Sequence, residues 1–449
     1  MGIMPERKIK AYTATLIVIA SMIGTGVFTS LGFQLMDVHT GFGILMLWLV
    51  GGVIALCGAF SYGELASAMP RSGGEYNYLS KIFHPFAGFL SGWVSATVAF
   101  AAPTALAAMA LGTYVNKVIP GINPTFLAAS VICMVTFIHS FNLRQSSRFQ
   151  NIFTILEIVL IIFFIIAGFL IDTPQSVSLL PQQNSGSAEG WHSIFSSSFA
   201  VSLIYVSYAY SGWNTATYMA SDIENPRRNV PKALFYGTII VMVLYILLNY
   251  VFLYSAPVKE MQGQVEVGLI SAIHIFGLKM GNLMGMMIAL LLISSISSFV
   301  LAGPRIAKVM GEDLPQLSFL AITNKHGVPY VAKIVQAIIS LILIFTASFG
   351  KVLLYVGFTL SLSTFFTVIG LFVLRYRNQG KADGYKTLGY PVTPILFLLL
   401  TGWMLYFTIV NHPKVSILGL ATILAGSVVY FIKKPTTPTN ENTIITEKK

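Results

Sequence analysis

Residues 21–28 have the sequence Ser-Met-Ile-Gly-Thr-Gly-Val-Phe, which places two glycines around a threonine in the middle of an apolar run over 11–35. A second stretch at 208–214, Tyr-Ala-Tyr-Ser-Gly-Trp-Asn, places glycine and small polar residues in the middle of the run 194–220. Either interruption alone is as consistent with close helix packing as with unwinding, since small residues let membrane helices approach each other. Two interruptions at matching positions favour unwinding, because broken helices in corresponding halves of a chain surround a binding site.

Apolar runs of this length recur along the whole chain. Only 10% of the 449 residues are charged, against about 25% in soluble proteins, so most of the surface faces lipid. About 20 apolar residues cross the hydrocarbon as a helix, in which every backbone amide is satisfied within the segment. The sequence therefore predicts an all-α integral membrane protein with about twelve transmembrane helices, and a short interfacial helix at 265–277. We place the spans at 11–35, 41–69, 85–112, 124–142, 149–171, 194–220, 232–255, 281–304, 331–349, 352–374, 392–410 and 415–432.

The net charge of +11 is explained by where the basic residues lie. If the N-terminus is cytoplasmic, all but five of the 27 Lys and Arg residues fall on the cytoplasmic side. The five outer ones are Lys117, Lys259, Lys279, Lys351 and Lys414. Because cytoplasmic loops of membrane proteins are enriched in Lys and Arg, this asymmetry predicts a plasma membrane protein with both termini in the cytoplasm, and it does not indicate nucleic-acid binding. We expect residues 1–10 to be a cytoplasmic N-terminus and residues 435–449 to be a disordered cytoplasmic tail.

Four stretches resemble the amino acid–polyamine–organocation (APC) superfamily, and in particular bacterial relatives of the L-type amino acid transporters. They are IGTGVF at 23–28, PRSGGEY at 70–76, YSGWN at 210–214 followed by ENPRRNVP at 224–231, and PR at 304–305 followed by GEDLP at 311–315. The resemblance covers about residues 10–380. It implies a LeuT-like fold of 5+5 inverted repeats with broken helices 1 and 6, alternating access and amino acid cargo. The ten-helix core would then span 11–374, with repeats at about 11–171 and 194–374 and helices 11 and 12 at 392–432.

Some L-type relatives join a single-span glycoprotein through a cysteine after their third span. The corresponding loop here, residues 112–120, has no cysteine. We therefore expect no covalent heavy-chain partner and a protein that works alone in the bilayer, in keeping with a bacterial inner membrane.

A zwitterionic amino acid needs one site for an anion and another for a cation, and unwound backbone supplies both. Free amides of Thr25, Gly26 and Val27 can bind the carboxylate at the positive end of a helix. Carbonyls at Met22, Tyr208 and Ser211, expected to be unpaired, can accept the ammonium protons. The resemblance implies the same assignment. The predicted substrate-binding residues are Met22, Ile23, Gly24, Thr25, Gly26, Val27, Tyr208, Ser211, Gly212, Trp213 and Asn214.

Side chains around this backbone predict the kind of cargo. We expect Tyr208 to act as a gate, with Trp213 and Asn214 lining the pocket, although packing accounts equally well for Trp213 and Tyr210. Neither interruption contains Asp, Glu, Lys or Arg, and a buried unpaired charge is costly, so neutral L-amino acids are favoured. Valine at position 24 or 26 is expected to abolish binding without unfolding the protein.

Glu157 is the one formally charged side chain predicted near mid-membrane, where such residues are usually functional. The stretch QNIFTILE at 150–157 is similar to a segment that often ends in lysine in the relatives, so the usual sodium-independent exchange mechanism does not carry over directly. Three interpretations stay open. Glu157 exchanges a proton during transport, or it binds a sodium ion, or it is a protonated structural residue. The sodium site would include the span 8 hydroxyls of Ser294, Ser295, Ser297 and Ser298, which close helix packing also explains.

Other functional classes fit less well. The seven histidines are scattered without HExxH or CxxC spacing, so neither an enzyme nor a cofactor or metal site is indicated. His139 is expected to be interfacial. The sequence favours a secondary active transporter (permease) of neutral L-amino acids, coupled to protons through Glu157. The alternatives are a sodium symporter, an obligate exchanger, or a non-transporting membrane sensor or scaffold.

Overall fold

A computed structural model describes residues 8–140, 146–180, 191–378 and 384–432. The predicted tail at 435–449 and most of the N-terminal segment 1–10 lie outside these residues. The described chain is helical, with one isolated bridge between Ile9 and Ile223 as its only β pairing. The helices are α1 Ala11–Met22, α2 Thr25–Thr29, α3 Leu31–Asp37, α4 Gly41–Ala68, α5 Gly74–Ile82, α6 Pro85–Val94, α7 Ala101–Val118, α8 Pro124–His139, α9 Ser146–Phe169, α10 Ser197–Ala209, α11 Thr215–Tyr218, α12 Pro226–Ser255, α13 Val258–Met261, α14 Val267–Asp313, α15 Tyr330–Thr346, α16 Phe349–Asn378, α17 Val392–Asn411 and α18 Pro413–Phe431.

Eight helical segments are long and apolar enough to cross a membrane. They are Ala11–Thr29, Gly41–Ala68, Pro85–Val118, Pro226–Ser255, Val267–Asp313, Phe349–Arg377, Val392–Asn411 and Pro413–Phe431. Four shorter apolar helices, Pro124–His139, Thr154–Phe169, Ser197–Ala209 and Tyr330–Thr346, fall within the other predicted spans to within a few residues. The all-α class is therefore confirmed over the described residues.

Both predicted interruptions are present. The first separates α1 from α2, where Ile23 is extended and Gly24 has φ 177° and ψ −144°. The second part of this span then continues through α2 and α3, because the backbone at Ser30 remains in the helical region. The second lies between α10 and α11, where Gly212 has φ +101°, a left-handed conformation that side chains disfavour.

Close packing joins the two interruptions. A Cβ atom added at Gly26 would lie 2.5 Å from Ala209 Cα, at the end of α10. A Cβ atom added at Gly212 would lie 2.4 Å from the carbonyl oxygen of Ser21, in the last turn of α1. Glycine is therefore needed at both positions, because the backbones approach too closely for any side chain.

The structure adds detail to the segment 265–277 and to the predicted third and eighth spans. The short helix predicted at 265–277 is present, because α14 consists of two helices on either side of a kink at Gly277, where φ is +76°, and the first begins at Val267. Span 8 was predicted to end at 304, but α14 continues past Pro304 to Asp313. The third span also extends beyond residue 112, and it contains a π-helical turn at Ser95–Ala99 between α6 and α7.

A buried ion pair ties the predicted cytoplasmic ends of distant helices together. Arg375 of α16 donates to both carboxylate oxygens of Glu64 in α4, at 2.8 and 2.7 Å. The backbone N–H of Thr387 donates to the same carboxylate at 2.7 Å, and the Arg375 guanidinium lies 3.6 Å above the Tyr390 ring. Three elements far apart in sequence thus share one charged centre.

We predict that Arg375→Leu destabilises the protein by about 3 kcal/mol, because it leaves the buried Glu64 carboxylate without its cation. Lys308→Ala is the matched control. It breaks the partly exposed pair with Glu312, 3.4 Å apart and one helical turn away, and should cost less than about 0.5 kcal/mol. Thermal unfolding of both purified variants in detergent measures the difference. Equal midpoints for the two variants would contradict the prediction.

Candidate functional site

The first interruption exposes the start of a helix. α2 begins at Thr25 with Gly24 at its N-cap, and no side chain caps it. The first amides of a helix have no partner within the helix, so those of Thr25, Gly26 and Val27 are available to a ligand. The Thr25 hydroxyl is also buried without a hydrogen-bond partner among the described residues. A Cβ at Gly24 would lie 3.4 Å from Ser295 Oγ, which places α14 beside this break.

The carbonyl groups at the two breaks only partly match the prediction. The Met22 carbonyl accepts a hydrogen bond from the Tyr245 hydroxyl at 2.6 Å, and the Tyr208 carbonyl accepts one from the Ser211 amide at 2.9 Å. The expectation that both carbonyls are unpaired is therefore wrong. The Ser211 carbonyl accepts no bond from a described residue. Because each carbonyl oxygen has two lone pairs, all three can still accept a proton from an ammonium group.

The aromatic residues of the second break have protein partners. The Tyr210 hydroxyl donates to the Trp48 carbonyl at 3.0 Å, and its ring lies 5.2 Å from that of Tyr245. The Trp213 ring packs edge-on against Tyr62, with centroids 4.7 Å apart. Tyr210 and Trp213 therefore have packing partners in the protein. Packing was the alternative to ligand contact that the sequence left open for both residues. Tyr208 is buried in the last turn of α10, beside the contact with the first break.

Glu75 is the residue that the sequence analysis missed. It is almost completely buried, and its Oε1 accepts hydrogen bonds from Asn214 Nδ2 at 2.5 Å and from the Tyr62 hydroxyl at 3.0 Å. The second break is therefore linked to a carboxylate from the PRSGGEY stretch, although the break itself contains no charged residue. A glutamate followed at once by two tyrosines within three residues, Tyr76 and Tyr78, was the available signal, since carboxylates in aromatic surroundings are seldom ordinary surface groups.

Glu157 is buried in α9, 4% exposed, and forms no hydrogen bond or ion pair with the part of the chain that the structure describes. It lies within electrostatic range of the Tyr245 phenol. Since Tyr245 binds the Met22 carbonyl, one side chain connects the neighbourhood of Glu157 to the first break. Tyr245 was also missed, because one tyrosine in an apolar helix has no distinguishing sequence pattern.

The four serines predicted to surround Glu157 have different environments. Ser297 Oγ lies 2.8 Å from His139 Nε2, and Ser295 lies beside Gly24. Ser294 is buried with no partner for its hydroxyl among the described residues, whereas Ser298 is only half-buried. His139, which was expected to be interfacial, is the last residue of α8; its side chain is buried, and Lys333 Nζ donates to its carbonyl oxygen at 2.6 Å.

Charge pairing divides the buried glutamates into two groups. Glu64 pairs with Arg375, and Glu266 lies 2.8 Å from Lys117. Over the described residues, Glu75 and Glu157 contact no basic side chain. A buried anion without a cation is costly, so these two carboxyls are the ones whose surroundings suggest a role beyond stability.

Two interrupted helices thus pack against each other, with an uncapped helix start at the first break, among apolar helices long enough to cross a membrane. The chain belongs to the amino acid permease family, whose sequence profile matches residues 9–446. It is thus a transporter of the APC superfamily and not an enzyme.

Similar proteins cover nearly the whole chain. The large neutral amino acids transporter small subunit 2 of Mus musculus is 27% identical over 441 residues, which are 96% of this chain and 82% of that protein. The Asc-type amino acid transporter 1 of Mus musculus is 26% identical over 95% of this chain and 81% of its own length. The b(0,+)-type amino acid transporter 1 of Mus musculus is 26% identical, covering 95% and 88%.

The two glycines of the first break should respond differently to substitution. Gly26→Ala places a methyl group against the Ala209 backbone, so it should destabilise the protein by about 1–3 kcal/mol. This corrects the expectation that Gly26→Val leaves the protein folded. Gly24→Ala meets only the Ser295 hydroxyl at ordinary contact distance, and its extended backbone suits any residue.

The free energy of unfolding of Gly24→Ala should therefore lie within about 0.5 kcal/mol of that of the unsubstituted protein, as it does for substitutions without steric conflict. Gly24→Val should remain monodisperse and lose amino acid binding, because its branched side chain fills the space beside the free amides. Thermal unfolding and ligand-dependent stabilisation measure the two effects. Undiminished binding by a folded Gly24→Val variant would exclude this break as the carboxylate site.

Proposed function

We propose that this protein is a secondary active transporter that moves neutral L-amino acids across the plasma membrane by alternating access. In this proposal the chain spans the membrane twelve times, both termini are cytoplasmic, and the first ten helices form LeuT-like 5+5 inverted repeats. The observation that carries the proposal is the contact between the two breaks, at Gly26 with Ala209 and at Gly212 with Ser21. In this proposal the contact brings an anion site and a cation site side by side, shielded from lipid.

The free amides at the start of α2 would bind the substrate carboxylate, because the positive end of the helix and three donors converge there. The Ser211 carbonyl, with the remaining lone pairs of Met22 and Tyr208, would accept the ammonium protons. Close approach to the backbone at Gly24 requires a residue without a side chain. Binding would need no charged side chain, which suits a zwitterion of zero net charge.

Neutral cargo is supported by the absence of Asp, Glu, Lys and Arg from both breaks, at 21–28 and 208–214. The name of one relative, the large neutral amino acids transporter small subunit 2, agrees with a neutral substrate. A cationic or anionic side chain entering this site would lose its hydration without meeting an opposite charge at the break itself.

Coupling to protons is proposed to run through Glu157. A buried carboxylate without a cation binds a proton more readily than an exposed one does, and water that enters as the site opens would let it release that proton. Tyr245 would transmit the change, since it lies near Glu157 and holds the last carbonyl of α1. The sodium alternative is less favoured, because Ser297, one of its expected ligands, is hydrogen-bonded to His139.

Competition between amino acids for uptake tests the proposal that the substrate is neutral. In proteoliposomes that contain the purified protein, small and medium neutral L-amino acids should compete with a radiolabelled neutral substrate. Arginine, glutamate and putrescine should not, because each brings a net charge that the breaks cannot pair. Uptake inhibited by arginine as strongly as by a neutral amino acid would overturn the neutral-cargo proposal. Binding of neutral amino acids without any transport would favour the sensor alternative.

Glu157→Gln tests the coupling. The amide mimics a carboxyl that never loses its proton, so accumulation driven by a pH gradient should fall at least about tenfold, the loss expected when an essential proton acceptor is removed. Counterflow between internal and external substrate should survive, because exchange does not require the empty carrier to return. Both are measured in the same vesicle preparation.

Glu260→Gln is the control, since the Glu260 side chain is exposed and pairs with His274. Gradient-driven uptake that keeps its pH dependence in Glu157→Gln would show that the proton role is wrong. Uptake that follows sodium in the unsubstituted protein, and loses that dependence in the variant, would replace the proton with a sodium ion. Counterflow alone, with no gradient-driven uptake in either protein, would identify an obligate exchanger.

A further inference from the structure

The side-chain amide of Asn214 is held on one side by a carboxyl oxygen that accepts its hydrogen bond. Its Nδ2 donates to Glu75 Oε1 at 2.5 Å. Glu75 is 2% exposed, and the same oxygen receives a second bond, from the Tyr62 hydroxyl. No basic side chain of the described residues pairs with it. Oε1 is therefore held by neutral donors from α4 and from the second break, whereas Oε2 is buried without a hydrogen-bond partner among the described residues.

This arrangement fixes which end of the Asn214 amide faces away from Glu75. Because Oε1 also accepts a hydrogen bond from the Tyr62 hydroxyl, it acts as an acceptor and selects the amide orientation with Nδ2 towards it. The other end, Oδ1, accepts no hydrogen bond from the described chain, and Asn214 is only half-buried while Glu75 is buried. An acceptor oxygen at the second break is thus left free for a ligand.

We propose that Glu75 is a positioning residue that orients Asn214, so that Asn214 Oδ1 accepts a hydrogen bond from the substrate. The inference rests on the proposed amino acid binding at the two breaks. It adds a preference for substrates that carry a hydrogen-bond donor in the part that lies next to Asn214. That donor is either the α-ammonium group or a side-chain hydroxyl or amide, and the two sources share the same chemistry.

A double-mutant cycle tests the orientation. Asn214→Asp puts an oxygen against Glu75, and the two anions repel, so serine binding should weaken at least about tenfold. Glu75→Gln alone should weaken binding less than about fivefold, because its amide oxygen can still accept both bonds. The combined variant should recover to within about threefold of the unsubstituted protein, since the glutamine Nε2 can donate to the new carboxylate while the other oxygen faces the ligand.

Binding is measured as ligand-induced thermal stabilisation in detergent, with serine and alanine as probes, so the test does not depend on transport. Asn214→Leu removes the acceptor and distinguishes the two donor sources. Loss of serine affinity with little loss for alanine identifies a side-chain donor, and equal losses identify the ammonium group. Tyr355→Phe is the control: it removes a tyrosine hydroxyl that is bonded to Thr422 and not to Glu75, and it should leave the preference between serine and alanine unchanged.

Two results would overturn the inference. One is that Asn214→Asp binds both probes as the unsubstituted protein does, and the other is that the combined variant binds no better than Asn214→Asp. If Asn214→Asp does not fold, Asn214→Leu decides, because unchanged affinity for both probes would exclude Oδ1 as an acceptor. Failure of the proposed function has a different signature, since the unsubstituted protein would then bind neither serine nor alanine.

Discussion

The contact between the two interrupted helices is the constraint on which the rest of the structure depends. Gly26 against Ala209 and Gly212 against Ser21 leave no room for a Cβ atom, so the breaks meet through their backbones. Lipid offers no hydrogen bonds to unwound backbone, and such backbone is tolerated only where protein or a cavity surrounds it. The neighbouring helices meet this requirement with single side chains, of which Tyr245 on the Met22 carbonyl is the clearest. The proposed binding site rests on the groups that remain unpaired, because they are the ones that a zwitterion could satisfy.

The four buried glutamates show how the same residue serves different purposes in one protein. Glu64 and Glu266 have basic partners, and the first of these pairs ties α4 to α16 and to the segment around Thr387. Glu75 and Glu157 have none among the described residues, and Glu75 is hydrogen-bonded to Asn214 of the second break. Charges that are paired stabilise the helix arrangement, whereas a buried carboxyl that lacks a cation is costly to keep and is a candidate for a functional role.

Several sequence-based assignments changed because they depended on neighbours that the sequence does not specify. The span 8 serines were grouped by their spacing, yet Ser297 faces His139 and Ser295 faces Gly24. Trp213 was expected to line the pocket, with packing left open for it and for Tyr210, and both have packing partners on other helices. In each case the helix position was predicted correctly, and the rotation that brings a side chain to a particular neighbour came from packing.

By itself, the sequence determined the all-α class, the positions of most spans and both interruptions. These features are local: apolar length requires a helix in lipid, and glycine among small polar residues weakens that helix wherever it occurs. The tertiary structure alone decided which groups meet at the breaks. Tyr245 and Met22 are 223 residues apart, Asn214 and Glu75 are 139 apart, and Arg375 and Glu64 are 311 apart. Such contacts depend on how helices pack across the whole chain, and no periodicity within a single segment encodes them.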